Sequence, residues 1–98
     1  MIITKEEGES KGRLVATEEG SELGEMTYSL ANDGKLMIVD HTGVEPAYKG
    51  RGVGNELFEE LVRMVRAEDR KVMPLCPFVK AMFKKNEDKW DVLRHGSL

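Results

Sequence analysis

The apolar pattern of this 98-residue chain changes period once, and the change falls on three glycines spaced two apart, Gly50, Gly52 and Gly54. Ahead of them, short runs of β-forming residues are separated by turn signals. Beyond them, Val53, Leu57, Phe58, Leu61, Val62, Met64 and Val65 recur three and four apart, the stripe of an amphipathic helix. A glycine-rich turn between a strand and a long helix restricts the choice of folds, because the chain must return to the sheet on the far side of that helix. The length fits one domain, residues 1–98, which buries roughly 60–65% of its unfolded surface. Any ligand site is therefore built from the same few elements that make the core.

Residues 1–48 read as strands. Arg13 to Thr17 leads through Glu18-Glu19-Gly20-Ser21 into Leu23 to Leu30. Asp33-Gly34 marks a second hairpin, since both residues accept positive φ. Lys35 to Val44 carries Leu36, Met37, Ile38 and Val39 in a row, which suggests a central strand buried on both faces and ended by Pro46. The helix that opens at Gly52 ends near Asp69. Lys71 to Leu75 is a short strand in which Pro74 cannot donate to a ladder, so it is interrupted there or its N–H side is unpaired. Cys76-Pro77 starts a second helix, with proline at its favoured first position, and Asn86 stops it. The expected fold class is α/β, in the α+β sense of a mixed sheet: an antiparallel meander followed by strand–helix–strand–helix.

The first turn of a helix carries unpaired N–H groups and partial positive charge, and glycines let backbone approach a bulky anion. The segment Val44 to Asn55 therefore reads as a phosphate cradle, with Lys49 and Arg51 adding attraction. Three glycines in five residues are hard to explain by turn geometry alone. A P-loop would need Gly-Lys-Ser/Thr, and Asn55-Glu56 follows Gly54 instead. A dinucleotide fingerprint would need a small third residue where Asn55 stands, and a second mononucleotide half.

Lys49-Gly50-Arg51-Gly52-Val53-Gly54, between a strand and a long helix, resembles the Gln/Arg-x-x-Gly-x-Gly/Ala motif of the GNAT superfamily of acyl-CoA N-acyltransferases, with Lys49 where that family usually has Gln or Arg. His41-Thr42-Gly43-Val44 before the loop and Cys76-Pro77-Phe78 after the next strand resemble its short Yjdj-type branch, which lacks the usual helices between the first two strands. The resemblance implies a minimal acyl-CoA N-acyltransferase fold that takes acetyl-CoA as co-substrate and an amine as acceptor. It implies that Val44, Lys49, Gly50, Arg51, Gly52, Val53, Gly54 and Asn55 bind the donor, the amides of Arg51 to Asn55 holding its pyrophosphate. It places pantetheine where Lys35–Val44 splays from Lys71–Leu75, with His41 and Cys76 near the ends of these strands.

Acetyl transfer needs an attacking amine, a base for its proton, an N–H donor for the oxyanion and a way for the CoA thiolate to leave. By resemblance the oxyanion donor maps to the Thr42–Val44 stretch. Cys76, at a helix N-cap where peptide dipoles stabilise a thiolate, is a candidate to carry the acetyl group or to protonate the leaving thiolate. A buried structural cysteine is the alternative. His41 is a candidate general base, and a hydrogen-bonded histidine ending a core strand is the alternative. Strict alternation puts Asp40 on the opposite face, unable to orient His41. Trp90, Tyr28 and Phe83 read as packing residues. A non-catalytic acyl-CoA sensor or carrier would keep the cradle without turnover.

A net charge of −3 argues against a nucleic-acid partner, which would need a dense basic face. There is no apolar run of about 20 residues for a membrane span, and no basic, then apolar, leader. One cysteine excludes an internal disulfide framework. The expectation is a cytoplasmic monomer, with no metal.

Overall fold

Two of the three hairpins in the first half of the molecule use left-handed backbone at their tips. Glu19 and Gly20 have φ of 52° and 83°, and Asn32, Asp33 and Gly34 have 51°, 55° and 82°. Such turns match the right-handed twist of the strands they join. In the computed structural model, which describes residues 1–98, the order is β1 (Ile2–Glu7), β2 (Lys11–Glu18), β3 (Ser21–Ala31), β4 (Leu36–Val44), a 3-10 turn (Pro46–Tyr48), α1 (Val53–Ala67), β5 (Lys71–Pro74), α2 (Pro77–Lys85) and a 3-10 segment (Glu87–Val92). The five strands form one sheet in the order β1-β2-β3-β4-β5. The first three pairings are antiparallel and β4–β5 is parallel. This is the mixed sheet expected from the pattern, with one addition. β1 is an edge strand whose residues are nearly all exposed, so it carries no apolar signal of its own.

The core lies between the sheet and the two helices. Leu14, Ala16, Met26, Tyr28, Met37 and Val39 from the strands meet Val53, Leu57, Phe58, Leu61, Val62 and Val65 of α1 and Val79 and Phe83 of α2. Phe58 and Phe83 touch edge to face, with centroids 4.9 Å apart, which fixes the two helices against each other. Trp90 stays 43% exposed, but its indole N–H donates to the Phe83 carbonyl at 2.6 Å, a second bond to an oxygen that also accepts from Asn86 N–H at the end of α2. The run Leu36–Val39 is covered on one face by helices and only partly on the other, where Ile38 is half-buried.

Two features shape β4. A bulge inserts Asp40: Val39 pairs with Tyr28 and His41 pairs with Thr27, leaving Asp40 extra. β5 ends at Pro74, opposite Val39. The next two amides, Leu75 and Cys76, both donate to the Val39 carbonyl, at 2.9 and 3.0 Å. Pairing between β4 and β5 therefore stops at Val39, while β4 runs on to Val44. Pro74 does not interrupt its strand; it ends it.

The edge strand is anchored by charge. The Glu7 carboxylate accepts from both terminal nitrogens of Arg70, at 2.8 and 2.9 Å, and from the Tyr28 hydroxyl at 2.8 Å. Gly12 leaves room for that phenol, since a Cβ there would lie 2.6 Å from the Tyr28 oxygen. Burial, then the Glu7 partner, pushes the Tyr28 phenol up. The Arg70 hydrogen bonds hold the Glu7 carboxyl at about 2, below its ordinary 4.5. A carboxyl depressed in the folded state stabilises fully above its unfolded value and loses that contribution as pH falls towards about 2. Glu7→Gln should cost about 1.5–3 kcal/mol at pH 7, the range for a charged hydrogen bond. Urea midpoints should show the gap from wild type narrowing as pH falls from 4.5 towards 2, and a gap constant over that window would contradict the electrostatic origin.

Candidate functional site

A cleft of about 510 Å³ opens where β4 and β5 part, lined by Thr42, Gly43, Val44, Tyr48, Lys49, Gly50, Gly52, Val53, Gly54, Asn55 and Phe78. One wall is the free edge of β4. Glu45 N–H donates across to the Leu23 carbonyl at 2.8 Å, so strand alternation turns the Val44 and Thr42 amides the other way, into the cleft. The other wall is the start of α1. There the Gly52 carbonyl accepts from Glu56 N–H at 3.0 Å, and the Arg51 amide is engaged by the Tyr48 carbonyl at 3.3 Å. The four amides between them, Gly52, Val53, Gly54 and Asn55, have no protein acceptor. The unpaired set is thus one shorter than the sequence suggested, because Arg51 closes a turn.

The glycines have geometric reasons of their own. Gly50 and Gly52 sit at φ of 83° and 80°, and Gly52 is the N-cap of α1. Gly54 faces Phe78: a Cβ there would lie 2.8 Å from the end of the ring. Turn geometry accounts for Gly50 and Gly52 but not for Gly54, which packing on Phe78 explains. The feature that points to an anion is the run of unpaired amides, which a helix N-terminus offers together with its partial positive charge.

Seven of the eight expected donor-binding residues line the cleft; Arg51 does not. Its guanidinium pairs with Glu18 at 2.9 Å and lies over the Tyr48 ring, 5.4 Å from the centroid. That pairing holds the Glu18 carboxyl below its ordinary value. Lys49 makes no ion pair and remains the free cation at the cleft mouth. Two lining residues, Tyr48 and Phe78, were in quoted motifs but drew no role from the sequence. Gly54 was the available signal for Phe78, as a small residue where two helix starts meet.

Cys76 is the N-cap of α2, as expected, but it is only 3% exposed and belongs to the core cluster. Its thiol lies 3.4 Å from the Thr42 hydroxyl, across the gap between the parted strands. His41 does not join it. Thr42 pairs with the buried Met26, whereas His41 pairs with Thr27 on the opposite face of the sheet. The bulge also corrects the placement of Asp40: its carboxylate accepts from the Thr27 hydroxyl at 2.6 Å, so Asp40 and His41 share that second face. There His41 borders a smaller hollow of about 210 Å³ with Glu22, Glu25 and Glu45. Gly43 and Val44 border both the hollow and the cleft. The His41 ring folds over Gly43, where a Cβ would lie 2.9 Å from Nε2.

A parted parallel strand pair, a glycine-entered helix with free amides and a cleft between them define an acyl-CoA N-acyltransferase fold. A family model described as GCN5-related N-acetyl-transferase matches residues 13–93, and the chain belongs to that family. It is 32% identical to a GCN5-like protein from Staphylococcus aureus solved by NMR, over 95% of this chain and 92% of that one, with a TM-score of 0.63. A ribosomal-protein-alanine N-acetyltransferase from Brucella melitensis biovar Abortus 2308 shares the fold at 19% identity, covering 93% of this chain and 67% of the other, with a TM-score of 0.64. AAC(6')-Iy, solved with the bisubstrate analogue CoA-S-monomethyl-acetylneamine, shares it at 14% identity over 84% and 62% of the two chains, with a TM-score of 0.55. Comparison with curated proteins gives no match. No helix is long and apolar enough to cross a membrane.

The contact between Gly54 and Phe78 can be tested directly. Gly54→Ala should destabilise the fold by about 1–3 kcal/mol through overpacking. Phe78→Leu in the same chain should recover part of that loss in thermal melts. Equal melting of Gly54→Ala and wild type would show that the ring is free to move.

Proposed function

We propose that this chain transfers an acetyl group from acetyl-CoA to an amine, in the manner of the short Yjdj-type branch. The carrying observation is the set of four unpaired amides, Gly52 to Asn55, facing a cleft whose other wall is the free edge of β4. The amides would hold the diphosphate and Lys49 would add charge at the mouth. Pantetheine would lie along Val44 and Thr42, whose inward amides are the donors available to an acyl oxygen. The amine would arrive from the second face, beside Gly43, where His41 can take its proton. Cys76 lies behind Thr42 and would either receive the acetyl group or supply a proton.

Asn55→Pro tests the cradle. It removes one unpaired N–H within the first turn of α1, where proline is tolerated and no helical bond is lost. CoA affinity by calorimetry should fall about tenfold or more, as for a hydrogen bond to a charged group. The melting temperature should hardly move. Unchanged affinity would put the diphosphate elsewhere.

An amine-panel screen read by thiol release tests turnover. An acetyl group on Cys76 by mass spectrometry would mark the two-step route. Release that stops with His41→Ala, with no acetyl group found on Cys76, would mark direct transfer.

A second reading, a non-catalytic acyl-CoA binder, draws support from the burial of the thiol and from the position of His41 on the other face. CoA binding without release for any amine would favour it.

A further inference from the structure

Thr42 both borders the cleft and is hydrogen-bonded to the buried thiol. Cys76 itself does not line the cleft. The thiol donates to Thr42 Oγ1 at 3.4 Å, a normal separation for a sulfur donor, and the hydroxyl's own hydrogen has no acceptor in the protein. A hydroxyl can donate one proton while accepting another. Thr42 is thus set as a middle link: one end is occupied by the thiol, and the other is free towards the cleft.

We propose that Thr42 relays a proton from Cys76 to the departing CoA sulfur. This rests on the acetyltransferase reading above and assigns the second of the two roles open to Cys76. As the tetrahedral adduct collapses, the C–S bond breaks and its electron pair stays on the CoA sulfur. The Thr42 O–H bond breaks and an S–H bond forms on CoA. The Cys76 S–H bond breaks and re-forms the Thr42 O–H bond. Cys76 is left as a thiolate at the N-cap of α2. The proton shed by the acceptor nitrogen as the amide forms restores the thiol through water, and the cycle closes with no net proton.

The location of Thr42 follows from the bulge. Were Asp40 to take a regular place in the ladder, with no bulge, alternation would bring His41 to the cleft face and send Thr42 to the other side. The threonine's branched carbon also stiffens its first torsion, which limits the hydroxyl to few directions.

The test compares Thr42→Val, which keeps the shape and removes the hydroxyl, with Thr42→Ser, which keeps the hydroxyl. The intact protein is used throughout, with CoA as the binding probe and the best amine from the panel as acceptor. The expected result is that Thr42→Val lowers kcat about a hundredfold, as for a positioned proton donor. Its CoA Kd should stay within about threefold of wild type, as expected when only a transition-state contact is lost. Thr42→Ser should recover most of kcat. Cys76→Ala should lose as much as Thr42→Val, and the double variant no more than either, because the two groups act in series. The solvent deuterium effect on kcat should fall in Thr42→Val.

CoA binding retained with kcat within twofold in Thr42→Val would overturn the relay while leaving the acetyltransferase reading intact. Additive losses in the double variant, or no recovery with serine, would also overturn it. A wild-type protein that ignores CoA would overturn the reading beneath.

Discussion

The site depends on one lapse in hydrogen bonding, the failure of β4 and β5 to stay paired beyond Val39. The alternate amides that face β4 along β5 and just past it include Lys71 and Leu75, which donate to the Lys35 and Val39 carbonyls, while the nitrogen of Pro74, the last paired residue, faces away. The next two amides converge on a single carbonyl, that of Val39, and the chain turns into α2. β4 continues without its neighbour, so the backbone donors of Thr42 and Val44 face open space rather than a strand. Unpaired backbone groups are costly when buried, and this edge is tolerated because it lines a solvent-filled cleft. The glycine loop, α1 and α2 then enclose that free edge.

The bulge at Asp40 is the second constraint. It divides the end of β4 between two faces, with Thr42 on the side of the buried thiol and His41 on the other. Gly43 keeps the partition thin, bordering the cleft on one side and carrying the His41 ring on the other. Two chemical groups that are distant across a sheet are thus separated by one strand with no side chain at the crossing.

Much was legible before the structure. The helix pattern from Val53, the caps at Cys76 and Asn86, both hairpins and the mixed sheet follow from periodicity and turn chemistry, which are local. β1 was not itemised among the strands, because only Ile3 of it packs on the core and its position comes from pairing with β2 and from Arg70 holding Glu7. The donor cleft was legible as a loop, since a glycine run before a helix announces free amides. Its aromatic lining was not, because Tyr48 and Phe78 reach it from elements far apart in the chain.

The amino-acid order alone determined every strand but β1, both helices and a run of free amides at a helix start, because each is set by neighbours within a few residues. Tertiary structure decided which groups meet. A single inserted residue in β4 reverses the side-chain alternation after it, so the partner of Cys76 is Thr42 and not His41. Salt bridging decided that Arg51 serves Glu18 rather than the cleft. Register and pairing across the sheet are sums over distant contacts, and no local pattern of residues carries them.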